Sequence, residues 1–290
     1  YAGKLIGEHK APKRLPRQSY ILILTFLALA VAAVSTWYFY PRTSKIEPAS
    51  VEKMALPLPG KPSIAVLPFD NMSGDPEQEY FSDGMTDDLI TDLSKISGLF
   101  IIARNSVFTY KGKPVKVQQV AEDLGVRYIL EGSVRRAGEK VRVNAQLIDA
   151  TTGHHLWAER YDGKIGDVFT LQDIITRKIV SALAVTLTAG EQEKVVKKET
   201  GNIAAYEAFL KGWQHYRRWT REDWEKAAVY FKKAIELDPK YGRAYATLGT
   251  LYFWSIRNDW TLDDLPAHEY HKQGEKYLQL AMNNPTSQAH

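Results

Sequence analysis

Four aspartates, Asp83, Asp87, Asp88 and Asp92, recur along one short stretch, and two histidine pairs, His154-His155 and His268 with His271, are the other residues whose types could hold a cation. Carboxylate oxygens suit hard cations and imidazoles suit zinc, but either site needs ligands that converge. The aspartates alternate with Phe81, Met85, Leu89 and Leu93, so they are expected on the solvated side of an amphipathic helix. His154 and His155 come after a Thr-Gly turn, and adjacent strand residues point to opposite faces, which makes them turn or edge histidines. His268 and His271 can share a helical face, yet a third ligand is missing nearby, so they read as surface residues.

Catalytic motifs are equally sparse. The chain has no glycine-rich phosphate loop, no G-x-S-x-G elbow and no H-E-x-x-H. Gly60-Lys61-Pro62 and Gly112-Lys113-Pro114 lack the upstream glycine and the Ser or Thr of a phosphate loop, and read as turns. With no cysteine, disulfides, thiol catalysis and Cys-type zinc sites are excluded. No catalytic residue, no cofactor and no metal is therefore expected in this chain. What remains is aromatic. Trp213, Tyr216, Trp219, Trp224 and Tyr230 read first as packing between helices, and a surplus of rings made of Trp213, Tyr216, Tyr245 and Tyr252 is the candidate lining of a peptide-binding groove.

The elements around these residues divide the chain. It has 290 residues, 25% charged and 44% hydrophobic, with a formal charge of +4 that the basic residues before Tyr20 account for, so no nucleic-acid surface is expected. Residues 1–19 read as a cytoplasmic basic juxtamembrane segment. Residues 20–40 carry no charge, Gly or Pro, and a helix of that length covers a hydrocarbon core of about 30 Å, so a single transmembrane helix contacting lipid is expected there. The run exceeds the roughly 7–15 apolar residues of a signal peptide, and its small-residue pattern lies inside the run. Lys4, Lys10, Lys13, Arg14 and Arg17 before it keep the N-terminus cytoplasmic and place the C-terminal domains on the far side of the membrane. Tyr1 in place of an initiator Met reads as the interior of a longer polypeptide.

Residues 41–60 hold Pro41, Pro48, Pro57 and Pro59 without a sustained period and are expected as a flexible linker. From 61 to 190 the pattern is strand (Ser63–Phe69), helix (from Phe81), strand (Leu99–Ala103), helix (Val117–Leu124, stopped by Gly125), three strands joined by turns at Ala137-Gly138-Glu139 and Thr151-Thr152-Gly153, and a last helix capped by Asp167 and running to about Leu187. This is a small α/β domain with a mixed sheet. From 202 to 290 the period is helical throughout. Ala227, Phe231, Ala234 and Pro239, with Tyr245, Leu248, Gly249 and Tyr252 after them, stand at tetratricopeptide-repeat spacing, so all-α helical hairpins, truncated at the end, are expected there. Such repeats hold a protein or peptide partner.

Lys61–Asn71, Tyr80-Phe81-Ser82-Asp83-Gly84-Met85, Gly132-Ser133-Val134-Arg135, Ala145–Gly153 and Leu156-Trp157-Ala158-Glu159 closely resemble the TolB amino-terminal-like domain, a module that often precedes tetratricopeptide repeats in bacterial single-pass signalling proteins. Ala2-Gly3-Lys4-Leu5-Ile6-Gly7-Glu8 also resembles the short segment after the catalytic domain of class III adenylate/guanylate cyclases with this layout. The resemblance implies a cytoplasmic cyclase making cyclic AMP from ATP, with residues 61–290 as its sensory and protein-binding region in the periplasm, across a bacterial inner membrane; the flexible linker at 41–60 argues against rigid transmission and for coupling through a homodimer. None of the cyclase's metal-binding aspartates or transition-state residues falls in this chain. Two rivals replace the cyclase with a winged-helix DNA-binding domain, giving a membrane-bound transcription regulator, or dispense with an effector, giving a tetratricopeptide scaffold for envelope assembly.

Overall fold

The computed structural model describes residues 47–196, 198–260, 262, 263 and 265–284. Ser63, Ile64, Ala65 and Val66 are all buried, as a strand covered on both faces requires, and form β1 (Ser63–Val66), an interior strand of the sheet. Chain order continues with β2 (Asp70–Asn71), α1 (Glu79–Ser94), β3 (Phe100–Ile101), the one-turn α2 (Arg104–Val107), α3 (Val117–Leu124), β4 (Tyr128–Ala137), β5 (Lys140–Asp149), β6 (His154–Lys164) and α4 (Val168–Ala182). The sheet order is β3-β1-β4-β5-β6, with β2 also on β4. β1 runs parallel to β3 and β4, whereas β4, β5 and β6 form an antiparallel meander. The mixed sheet expected from the sequence is therefore present.

α1 lays Phe81, Met85, Leu89 and Leu93 into the core, all nearly or wholly inaccessible to solvent. α3 ends where Gly125 takes φ +63°, and a Cβ there would stand 2.7 Å from the Leu56 carbonyl oxygen, so this helix stop needs glycine twice over. Asp167 behaves differently from expectation. Its carboxylate accepts the Lys164 N–H at 2.9 Å, closing the short 3-10 turn before α4 and leaving the first N–H groups of α4 without this cap, and α4 stops at Ala182.

Beyond α5 (Ala189–Val196) come α6 (Ile203–Tyr216), α7 (Arg221–Leu237), α8 (Gly242–Asn258) and α9 (Ala267–Asn283). Asn202 caps α6 by accepting from Ala204 and Ala205 N–H, and Thr220 caps α7 by accepting from Asp223 N–H. α6 pairs with α7 and α8 with α9 at positions without side chains. A Cβ on Gly212 would meet the Phe231 ring at 2.7 Å, and one on Gly249 would meet Leu278 at 2.9 Å and the Gly274 carbonyl at 3.1 Å.

Three expectations are corrected. The fold class expected one transmembrane helix, at 20–40. Among the described residues no helix is long and apolar enough to cross a membrane, since the longest have 17 residues and carry charged faces. Residues 1–46, with the expected juxtamembrane segment and helix, lie outside the described residues. The expected linker is not a free tether from 47 onward: Ala49 donates to the Ala150 carbonyl at 2.7 Å, Ser50 to the Glu122 carboxylate at 2.8 Å and Ala55 to the Glu122 carbonyl at 2.8 Å. Proline spacing removed strand and helix signals there, but the backbone finds partners on α3 and at the end of β5. The aspartates of α1 are the third correction.

Candidate functional site

The helix periodicity places Asp87 and Asp88 opposite the apolar stripe of α1, yet that face does not meet water. It is where the α/β region receives the helical region. Gly84, one turn earlier, lets α6 in so closely that a Cβ there would overlap the Leu210 side chain. Asp87 accepts from Arg104, from the Trp213 indole N–H at 3.2 Å and from Arg217 at 3.0 Å. Asp88 accepts from the Tyr206 hydroxyl, from Gln172 at 3.0 Å and from Arg243 at 3.3 Å. Arg243 also reaches Glu199 at 3.2 Å and lies over the Phe209 ring at 4.8 Å. Two adjacent carboxylates thus gather donors from several distant segments.

Burial decides the electrostatics. It raises the Asp87 carboxyl above its ordinary range, with Arg104 and Arg243 pulling the other way. Asp88 is pushed up to about 7 by burial, against the pull of Arg243 and with Glu199 adding to the rise. Burial opposes the Arg243 charge, but Glu199 and Asp88 hold it above its ordinary value. Tyr206 is driven well above the usual phenol by burial and by Asp88, so it stays a donor. The junction has the chemistry of an ionic clasp, two carboxylates held by guanidinium, amide, indole and phenol donors.

The four candidate groove residues fall into two sets. Trp213 stacks on Tyr216 with ring centroids 5.1 Å apart, and Tyr216 stacks on Trp224 at 5.3 Å, a ladder continued by Trp219, Trp254 and Trp260. Trp213 and Tyr216 are half-buried. Tyr245 and Tyr252 instead pack against Tyr277 of α9 at 6.3 and 5.6 Å, and Tyr252, 1% exposed, gives its hydroxyl to Asp263. No ring contact joins the two sets among the described residues. His154 and His155 are exposed at the start of β6, and His268 and His271 are exposed on α9, each beside a glutamate. Among the described residues no three His, Asp or Glu gather as a metal would need.

A second feature had no sequence signal. The face of β4, β5 and β6 turned away from α4 bears a cleft of 820 Å³, walled by the loop at Lys111–Val115 and floored by Glu131, Ser133, Asn144 and Gln146, with Asp70 and Arg160 at its edge. Asn144 donates to Ser133 at 2.9 Å and Gln146 to Glu131, and burial raises the Glu131 carboxyl. The volume suits a small polar molecule or a short chain segment. The alternation of β5 marks which residues face this side, but only the fold shows that a loop walls it.

Known proteins resemble this chain in several parts. Residues 60–178 match the family model described as HilA/YgeH-like transcriptional regulator, second domain. Over 228 residues the chain is 49% identical to a protein of Rhizobium meliloti (strain 1021) described as "Putative adenylate cyclase 3", covering 78% of this chain and 39% of that one. Among solved structures it is similar to TolB from Acinetobacter baumannii, with 19% identity, 45% of this chain, 30% of that chain and a TM-score of 0.33. It is also similar to lipoprotein GNA1162 from Neisseria meningitidis, with 22% identity, 44% of this chain, 99% of that chain and a TM-score of 0.31. The chain spans about two fifths of the length of its cyclase-described relative.

Proposed function

We propose that residues 47–284 are the non-catalytic recognition region of a signalling protein whose output is an adenylate cyclase, making cyclic AMP from ATP on a part of the protein outside this sequence. The observation that carries the reading is the 49% identity over 228 residues to a relative described as an adenylate cyclase. The site chemistry is consistent with it: the described residues offer buried ionic and aromatic packing and a polar cleft, arrangements suited to binding and to holding two regions together. In this reading α6–α9 are tetratricopeptide hairpins that take a protein or peptide partner, and the region needs no cofactor and no nucleic acid. A periplasmic position belongs to the same reading. A signal would pass if the partner bound one arrangement of the two regions better than another.

The test is to express the whole coding sequence, with and without residues 47–284, in a host lacking cyclic AMP and to measure the nucleotide. Cyclic AMP from both, at different rates, is expected; none from the whole protein would refute the reading. A reporter fused after the helical region, active in the periplasm, checks the position.

A second reading, a transcription regulator, is favoured by the family match of residues 60–178. It predicts that the whole protein shifts promoter DNA in a gel and makes no cyclic AMP.

A further inference from the structure

β6 is the edge of the sheet and is 11 residues long, about twice the usual strand. Ile165, just past its end, donates to the Glu139 carbonyl at 2.8 Å, which fixes the parity beyond the register shift opposite Leu147 and Ile148: from Trp157 to Gly163 the odd-numbered residues turn their backbone groups to β5, and Ala158, Arg160 and Asp162 turn theirs outward. Among the described residues nothing bonds to those outward groups. Long open edges invite pairing with another strand.

We propose that β6 is a self-complementary dimerisation edge, pairing antiparallel with β6 of a second copy about a two-fold axis at Tyr161. Charge selects this occupant. With the axis at Tyr161, Arg160 lies opposite the partner's Asp162 and Asp162 opposite the partner's Arg160, on the solvent side of the sheet, where both are at least half exposed; within one chain they already pair at 3.3 Å and Asp162 also meets Arg142, so the contact extends an existing ion-pair row across the axis. Moving the axis to Arg160 or to Asp162 sets a like pair on itself, and moving it to Glu159 faces two carboxylates. The Tyr161 register also makes Arg160 and the partner's Asp162 a hydrogen-bonded backbone pair, as their outward groups require. Tyr161 meets the partner's Tyr161 on the other face. An isologous contact of this kind closes on itself, which caps the hazard of an open edge. This dimer does not depend on the cyclase output and stands or falls separately from it.

The chain has no cysteine, so one introduced thiol reports one contact. In the full chain, Tyr161→Cys places two thiols on the axis in a non-hydrogen-bonded pair, with Cα atoms about 4.5 Å apart, inside the disulfide range. Mild oxidation should give a covalent dimer from Tyr161→Cys and not from Leu156→Cys, which lies five residues from the axis. Arg160→Asp alone and Asp162→Arg alone should each lower dimer yield on the order of ten-fold. The double reversal, which restores opposite pairs, should restore it, and this guards against a variant that merely misfolds. Equal cross-linking at both positions, no recovery in the double reversal, or a monomer whose Tyr161→Cys thiol is shielded by its own N-terminal segment would each overturn the proposal.

Discussion

The α/β region and the helical region are built from different materials. The first is held by aliphatic layers, Ile64, Val66, Leu89, Ile129 and Leu147 being wholly buried. The second is held by rings, with Trp224, Phe209, Phe231, Tyr241 and Tyr252 among its most buried side chains. Their meeting place adds charge to packing: Leu210 seats against Gly84 and Phe169 meets Tyr206, while Asp87 and Asp88 face Arg104, Arg217 and Arg243 beside them. Apolar burial is non-directional, whereas charge-assisted bonds fix orientation and are costly when half removed. The contrast teaches that the two regions fold on packing but are oriented by charge.

The hardest blow to that contrast is Arg243→Ala, which strands Asp88 and Glu199. A loss of about 3–5 kcal/mol is expected in denaturant unfolding, more than a neutral isosteric pair would cost. Phe231→Ala should cost about 3–5 kcal/mol and Leu89→Ala about 2–5 kcal/mol, and if both unfold in one transition the two regions form one cooperative unit. Gly84→Ala, overpacked against Leu210, should cost about 1–3 kcal/mol, and Leu210→Ala in the same chain should recover part of it, a non-additivity that a double-mutant cycle reads.

The clasp also has a pH signature. Asp88, pushed up to about 7 by burial, binds its proton more tightly folded than unfolded. Between about pH 4 and 7 the native state therefore holds more protons, and this group's contribution is full below the unfolded value and lost as pH rises through 7. It faces Arg243, Glu199, Tyr206, Gln172 and Asp92. Urea titrations should show Asp88→Asn flattening the fall in stability from pH 5 to pH 8. The smallest effect is Asn202→Ala, about 1 kcal/mol, because it removes only a cap on α6 and the bond to the Leu237 carbonyl.

Much of the fold was legible. Alternation along Val141, Val143, Ala145 and Leu147 marks β5, and Gly125 marks a helix stop, because both signals are local. The α1 aspartates misled because periodicity tells which residues share a face and not what covers it. Arg243 is 155 residues from Asp88, beyond the reach of any local pattern. The groove residues divided for the same reason: Trp213 and Tyr252 share a type, but α6 and α8 bury them against different neighbours.

By itself the sequence determined the order of strands and helices, the change from aliphatic to ring-rich packing and the lack of cysteine chemistry, all set by residue type and spacing along the chain. Tertiary structure alone decided that the acidic face of α1 is a clasp, that residues 47–60 lie on the domain, that a loop walls a polar cleft and that β6 is the sheet's unpaired edge among the described residues. Each of these depends on which distant surfaces meet, and burial and pairing energies exist only once they have met.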